Sequence, residues 1–175
     1  MQIVVCPLRA VETAVSAHRA THLVSLMSES DLMPKLPGVD TSRHLKLVVN
    51  DIVAPREGLI APSIDHAEAL VEFIHHWEAA SPIVMHCFAG ISRSTAAALI
   101  AMCALAPETE EVQLAKALRA ASPHAAPNRL LVDHGDRALG RNGRLLAALE
   151  AMRAPELAPE GRVFSVPLDH TEIQA

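Results

Sequence analysis

The chain has 175 residues, half of them hydrophobic, with three Phe, one Trp, no Tyr and a formal net charge of −5. This length suits one domain with a mainly aliphatic core, and the acidic balance argues against binding to nucleic acid or to a membrane surface. No apolar stretch is long enough to span a membrane. Three widely spaced cysteines without a CxxC pair favour a reducing, cytoplasmic location.

Strand patterns alternate with helical patterns in the first half of the chain, and helical patterns dominate the second half. Proline and glycine interrupt two long loops, residues 28–42 and 50–62. Ser63 is placed to cap the helix that follows the second loop. The predicted strands are 2–5, 22–27, 44–49 and 83–85, and the predicted helices are 8–19, 67–79, 94 to about 107, 108–121, 127–139 and 143–152.

This alternation predicts an α/β fold with a central, mostly parallel sheet of four to five strands flanked by helices. We expect residues 1–153 to form a single domain. The tail, residues 154–175, carries three prolines and a glycine. The sequence leaves two alternatives for it, a loose segment or an edge strand at 162–166.

The stretch with the clearest chemistry is IVMHCFAGISRS, residues 83–94. Apolar residues at its start predict a buried strand, a glycine-containing loop follows, and a helix begins after Ser94. Cys87 and Arg93 therefore bracket a loop that leads into a helix N-terminus, where free N–H groups attract anions. Arg93 offers a planar fork for a tetrahedral oxyanion, and the same positive field favours the nucleophilic thiolate of Cys87. These residues predict a nucleophile that attacks a bound phosphate.

The pattern His86-Cys87-x5-Arg93-Ser94 resembles the signature of cysteine-based protein tyrosine phosphatases, and HCxxGxSRS resembles the dual-specificity branch in a small single-domain form. The resemblance implies that Cys87 forms a thiophosphate intermediate. It also implies that the backbone of Phe88, Ala89, Gly90, Ile91 and Ser92, with Arg93, binds the phosphate. Ser94 would help the thiolate to leave, and His86 would order the loop and favour the thiolate.

A general acid is needed to protonate the leaving oxygen. Asp51 follows the strand 44–49 at its carboxyl end and opens the Pro/Gly-interrupted loop, an arrangement similar to that of dual-specificity phosphatases. Asp65 is the rival, but it is better explained as an acid in the first turn of a helix. The segment SPHAAPNRLLV resembles the one in which the family uses an Asn to steady the signature loop, and this role falls on Asn128.

The expected substrate is a phosphorylated protein or a small phosphomonoester. Phosphotyrosine is favoured by resemblance, whereas phosphoserine, phosphothreonine and small metabolites stay open. The loop has no lysine, which argues against polyphosphorylated inositols. We expect no cofactor and no metal, and the sequence does not specify an oligomeric state. Two alternatives from other classes are a catalytically weak phosphate-binding or interaction module and a rhodanese-type sulfur transferase. A disulfide between Cys6 and Cys87 is a further possibility.

Overall fold

The computed structural model describes residues 2–33, 36 and 39–168. Within them the chain forms five strands and six α-helices. Their order is β1 (Gln2–Pro7), α1 (Val11–His18), β2 (His22–Met27), β3 (His44–Val48), α2 (Ile64–His76), β4 (Ile83–Cys87), α3 (Arg93–Leu105), α4 (Glu111–Ala121), α5 (Arg129–Ala138), α6 (Arg144–Glu150) and β5 (Phe164–Pro167). No helix in these described ranges is both long and apolar enough to cross a membrane.

The sheet has the strand order β3-β2-β4-β1-β5, and its first four strands are parallel. Only β5 runs antiparallel, as an edge strand beside β1. The predicted α/β class with a mostly parallel sheet flanked by helices is therefore confirmed. In the tail, the structure has the edge strand, shifted to Phe164–Pro167 from the expected 162–166.

The core lies on both faces of the sheet, as parallel sheets require. Helix α1 covers one face, where Val4, Cys6 and Leu23 are fully buried. The other face carries α3, whose residues 93–103 are all buried. Four alanines of α3 let this helix approach the sheet closely while α2, α4 and α5 pack around it. The carboxyl end of β4 and the first turn of α3 are thus fixed at the centre of the molecule.

Several element boundaries differ from those expected. Helix α2 ends at His76 instead of 79, because Trp77 is extended and its indole N–H donates to the carbonyl of Ser81 at 3.0 Å. Strand β4 continues to Cys87, two residues beyond the apolar run, because β1 extends to Pro7 and pairs with it. The expected helix 8–19 begins with a short 3-10 turn, and α1 proper starts at Val11.

Gly135 allows α5 to pack tightly against α3, and this contact yields a test of the fold. A Cβ atom at position 135 would lie 2.4 Å from Cγ1 of Ile100. We expect Gly135→Ala to lower the free energy of unfolding by about 1–3 kcal/mol through overpacking, although alanine favours helix by about 1 kcal/mol. Denaturant titration measures the change. In a double-mutant cycle, Ile100→Ala, which removes the contacting atoms, should show a favourable coupling of at least about 0.5 kcal/mol with Gly135→Ala. An absence of coupling would contradict the packing argument.

Candidate active site

The residues 88–92, called here the signature loop, connect the last residue of β4, Cys87, to the first residue of α3, Arg93. Gly90 adopts φ +70°, and a Cβ there would lie 2.6 Å from the backbone nitrogen of Pro7. Only glycine satisfies both the positive φ and the close approach of β1. The FAGIS segment, residues 88–92, therefore folds into a tight loop seated on the carboxyl end of the sheet.

Cys87 is buried, with 1% of its surface exposed, and its sulfur has two polar neighbours. The Ser94 hydroxyl lies 3.2 Å from Sγ, and the backbone N–H of Gly90 donates to Sγ at 3.3 Å. The N-terminus of α3 adds a positive dipole end beside the thiol. Donors to sulfur and this dipole stabilise a thiolate. The predicted neighbours Cys87, Gly90 and Ser94 are thus brought together.

The backbone of the signature loop has a consistent orientation. Four of its carbonyls accept hydrogen bonds from backbone N–H groups outside the loop, namely Phe88 from Leu8 at 3.1 Å, Ala89 from Gly161 at 2.8 Å, Ile91 from Ala126 at 2.9 Å and Ser92 from Asn128 at 3.3 Å. In a planar trans peptide the N–H points opposite to the carbonyl. The N–H groups of residues 89, 90, 92 and 93 therefore turn to the other side, which forms a concave set of donors suited to an anion.

Arg93 is 5% exposed and is held by one nitrogen only. Its Nη1 donates to the carbonyl of Val49 at 2.8 Å and to the hydroxyl of Ser28 at 3.3 Å. Its Nε is buried and has no hydrogen-bond partner among the described residues. A buried donor without a partner is costly, and a bound oxyanion would satisfy it. The guanidinium is therefore anchored through Nη1, while its Nε has no hydrogen-bond partner among the described residues.

Asp51 lies on an exposed loop that reaches the signature loop. Its Oδ1 accepts hydrogen bonds from the Ser92 hydroxyl at 2.6 Å and from the Asn128 amide at 2.8 Å. The loop is closed at its base, because Asn50 and Ile60 exchange two hydrogen bonds of 2.7 and 2.8 Å. A carboxyl group is thus anchored to the signature loop and to Asn128 through its Oδ1.

Asn128 connects three parts of the site. Its side-chain oxygen caps α5 by accepting from the N–H of Leu131 at 3.0 Å, and its Nδ2 also donates to the carbonyl of Ile52 at 3.2 Å. It contacts the signature loop through its own backbone N–H, which bonds to Ser92. Asn128 is predicted to steady the signature loop. The structure adds a contact that this prediction does not include, since the side chain also bonds to the loop of Asp51.

His86 is directed toward β2 and not toward the signature loop. Its Nε2 lies 2.6 Å from the hydroxyl of Ser25, which also lies 2.8 Å from Nε2 of His44. Burial lowers the pKa of His86 to about 4 and that of His44 to about 4, so both rings are neutral near pH 7. A neutral ring adds no positive charge beside Cys87, so the thiolate support expected from His86 does not come from its charge. This His86–Ser25–His44 chain ties β4 to β2 and β3.

Ser25 and His44 were not found from the sequence. No local motif marks them, and only the strand order brings β2 and β3 next to β4. The parallel register of β2 and β4 pairs Ser25 with His86. This pairing points to Ser25 only once the strand order is known.

Cys6 is unsuited to the disulfide considered for it. It packs on the α1 face of the sheet, whereas Cys87 packs on the α3 face, and both are free thiols. Burial and the nearby charge of Cys87 raise the pKa of Cys6 to about 12. A bridge would need one strand to turn its side chain through the sheet.

Comparisons with known proteins bear on the fold that carries this site. The family model described as protein-tyrosine phosphatase matches residues 58–125. No curated protein sequence matches the chain. Among solved structures, the chain is similar to DUSP15, with a TM-score of 0.58 and 21% identity over 88% of this chain and 94% of that one.

Two human structures are also similar. DUSP28 matches with a TM-score of 0.58 and 22% identity over 80% of this chain and 92% of that chain. The tyrosine phosphatase-like serine/threonine/tyrosine-interacting protein matches with a TM-score of 0.61 and 17% identity over the same shares. At these sequence identities the structural matches are evidence for the fold alone.

The pair of the buried His86 and the half-buried His44 predicts a stability that falls in acid. Because both pKa values are lower in the folded chain than the usual 6.5, the unfolded chain binds more protons between pH 6.5 and 4. The free energy of unfolding should be constant above that window and fall as the pH drops through it, by at most about 1.4 kcal/mol per pH unit for each histidine. Denaturant titrations at several pH values measure the slope.

The variant His44→Gln should make this slope shallower, since it removes one of the protons taken up on unfolding. His22 and His66, whose pKa burial also lowers, contribute equally to the slope of wild type and variant. Gln also keeps a polar group that can reach the Ser25 hydroxyl. His75→Gln, on the exposed side of α2, is the matched control and should keep the wild-type slope. Equal slopes for all three proteins would refute the assignment.

The two functions of the Asn128 side chain can be separated. Asn128→Ala loses both the helix cap and the bond to Asp51, and we expect it to cost about 0.5–2 kcal/mol in the free energy of unfolding. Asn128→Ser keeps a capping oxygen but no amide to reach Asp51, so it should recover most of that stability. Thermal and denaturant unfolding measure this difference. If both variants are equally destabilised, the cap is not the main source of the effect.

Proposed function

We propose that the chain is a dual-specificity-phosphatase-like member of the cysteine-based protein-tyrosine phosphatase superfamily and that it hydrolyses phosphate monoesters through a cysteinyl-phosphate intermediate; the partial family match and the shared fold support this. We propose a phosphorylated protein as the substrate, with phosphotyrosine favoured by family likeness.

The observation that carries the proposal is the unpartnered Nε of Arg93. A buried cation is fixed by Val49 while its Nε edge has no partner among the described residues, and it lies one loop away from a buried thiol. A tetrahedral dianion supplies the missing acceptor and also fits the N–H groups that the signature loop turns inward. Arg119 and Arg141 also have a buried Nε without a partner among the described residues, so what distinguishes Arg93 is its place beside the Cys87 thiol and the signature loop.

In the first step, the thiolate of Cys87 attacks phosphorus in line with the leaving oxygen. An S–P bond forms as the P–O bond to the leaving group breaks, and Asp51 gives its proton to that oxygen. Charge that develops on the three equatorial oxygens is stabilised by Arg93 and by the N–H groups of the signature loop. The anchored Oδ1 of Asp51 directs the other oxygen, which carries the proton, away from Ser92 and Asn128.

In the second step, water attacks the phosphorus of the cysteinyl phosphate. Asp51 accepts a proton from this water, the S–P bond breaks, and the electron pair returns to Cys87. The Ser94 hydroxyl, 3.2 Å from the sulfur, donates to the departing thiolate. Inorganic phosphate leaves, and the enzyme regains its starting state without a redox change.

Two exposed apolar residues on the loops that form the site support the proposed substrate preference. Phe88, on the signature loop, is 59% exposed, and the exposed Val53 belongs to the loop of Asp51. Apolar side chains at a phosphate site favour an aromatic phosphoester over a charged sugar or inositol phosphate. The signature loop itself carries no lysine for a second phosphate.

Hydrolysis of para-nitrophenyl phosphate from pH 4 to 8, in EDTA and reductant, tests the reaction. We expect wild type to turn over and Cys87→Ser to be inactive. Asp51→Asn should lower the rate of hydrolysis about 10²–10⁴-fold on substrates with poor leaving groups. The loss should be smaller on para-nitrophenyl phosphate, because a good leaving group needs little protonation. In the Asp51→Asn variant, the decline of activity on the basic side of the pH profile should disappear.

Phosphopeptides that carry phosphotyrosine, phosphoserine or phosphothreonine in one sequence then rank the substrates by kcat/KM. Trapping a phosphorylated Cys87 in the Asp51→Asn variant by mass spectrometry would establish the intermediate. A wild-type protein that binds vanadate without turnover would instead indicate a phosphate-binding module. Consumption of thiosulfate without phosphatase activity would indicate a sulfur transferase.

A further inference from the structure

The segment between α6 and β5, residues 154–163, runs behind the signature loop; it is called here the C-terminal segment. The N–H of Glu156 donates to the carbonyl of Pro123 at 2.9 Å, and Glu160 forms an ion pair with Arg9 at the surface. Beyond it, β5 pairs with β1. The segment is therefore attached at both ends and crosses the side of the loop opposite to the phosphate position.

Its contact with the loop is a single, well-defined hydrogen bond. The buried Gly161 donates its N–H to the carbonyl of Ala89 at 2.8 Å. A Cβ at position 161 would lie 2.8 Å from the carbonyl oxygen of Gly90 and 3.4 Å from that of Ala89. The absence of a side chain is thus what allows the two backbones to meet at hydrogen-bond distance.

The peptide unit that receives this bond is the one that contacts the nucleophile. The carbonyl of Ala89 and the N–H of Gly90 belong to the same planar unit, so fixing one fixes the direction of the other. That N–H donates to the sulfur of Cys87 at 3.3 Å. A hydrogen bond to the carbonyl also polarises the amide and strengthens its N–H as a donor.

We propose that Gly161 is a positioning residue for the nucleophile, and that the C-terminal segment holds the peptide unit 89–90 in the orientation that stabilises the Cys87 thiolate. The tail is in this way part of the active site, although it contacts neither the substrate nor the sulfur. The consequence for turnover rests on the proposed phosphatase function; the consequence for the thiolate does not.

The test is the rate of Cys87 alkylation by iodoacetamide as a function of pH, followed by peptide mass spectrometry. In Gly161→Ala the added methyl displaces the segment, so the midpoint pH of alkylation should rise by up to about one unit, as expected for a weakened hydrogen bond to a charged group. At pH values below the alkylation midpoint, the phosphatase kcat/KM of Gly161→Ala should be up to about tenfold lower than that of wild type, and the difference should disappear at higher pH.

Leu157→Ala is the matched control in the same segment. Its side chain is 97% exposed, so its truncation removes no packing and should leave the midpoint at the wild-type value. Circular dichroism and thermal unfolding establish that each variant is folded. If Gly161→Ala does not fold, Arg9→Gln breaks the neighbouring ion pair at the surface and should raise the midpoint by a smaller amount.

Each outcome decides the proposal. A folded Gly161→Ala protein with the wild-type midpoint, or a wild-type midpoint in Arg9→Gln when Gly161→Ala does not fold, overturns it. A raised midpoint supports it even if the wild type hydrolyses no phosphoester, in which case only the proposed function fails. An active wild type with no shift in the variant means that the function stands and the positioning role does not.

Discussion

The outward hydrogen bonding of the signature-loop carbonyls is the interaction on which the site depends. An anion site made from backbone N–H groups exists only if every peptide unit is turned the same way, and a five-residue loop has no internal means to enforce this. Here the carbonyls bond to the end of β1, to the C-terminal segment and to the chain before α5. Each bond fixes one peptide plane, so the donors are arranged before any ligand arrives and need no reorganisation on binding.

The parallel sheet explains why these segments converge at one place. The carboxyl ends of β1, β2, β3 and β4 share one edge, and β4 lies between β1 and β2. Cys87 therefore ends a strand that is buried on both faces, and α3 starts directly above it with a fully buried first turn. A thiol on an exposed loop would have neither the close donors nor the rigidity that β4 and α3 provide.

The sequence was sufficient for the features that depend on local pattern. An apolar run, a glycine-containing loop and a helix start placed Cys87 and Arg93 correctly, and the end of an apolar strand pointed to Asp51. The His86–Ser25–His44 chain and the bond from Gly161 could not be predicted, because they join residues far apart in sequence and depend on strand order and on an edge strand left open. The end of α2 differs from the predicted one because the Trp77 indole bonds to the backbone of Ser81 in the following turn, a local contact that the helical pattern does not reveal.

The chain just after β3 connects the two groups to which the proposed reaction gives phosphate binding and acid catalysis, Arg93 and Asp51. The carbonyl of Val49 holds Arg93, the next residue closes the loop at its base, and Asp51 follows with a bond to Ser92. Three consecutive residues therefore set the guanidinium and the carboxyl relative to each other across one short stretch of backbone. A shift of this stretch that released the carboxyl group of Asp51 from Ser92 would also loosen the anchor of Arg93 on the carbonyl of Val49. Asn128, which bonds to both loops, opposes that shift in the absence of a ligand.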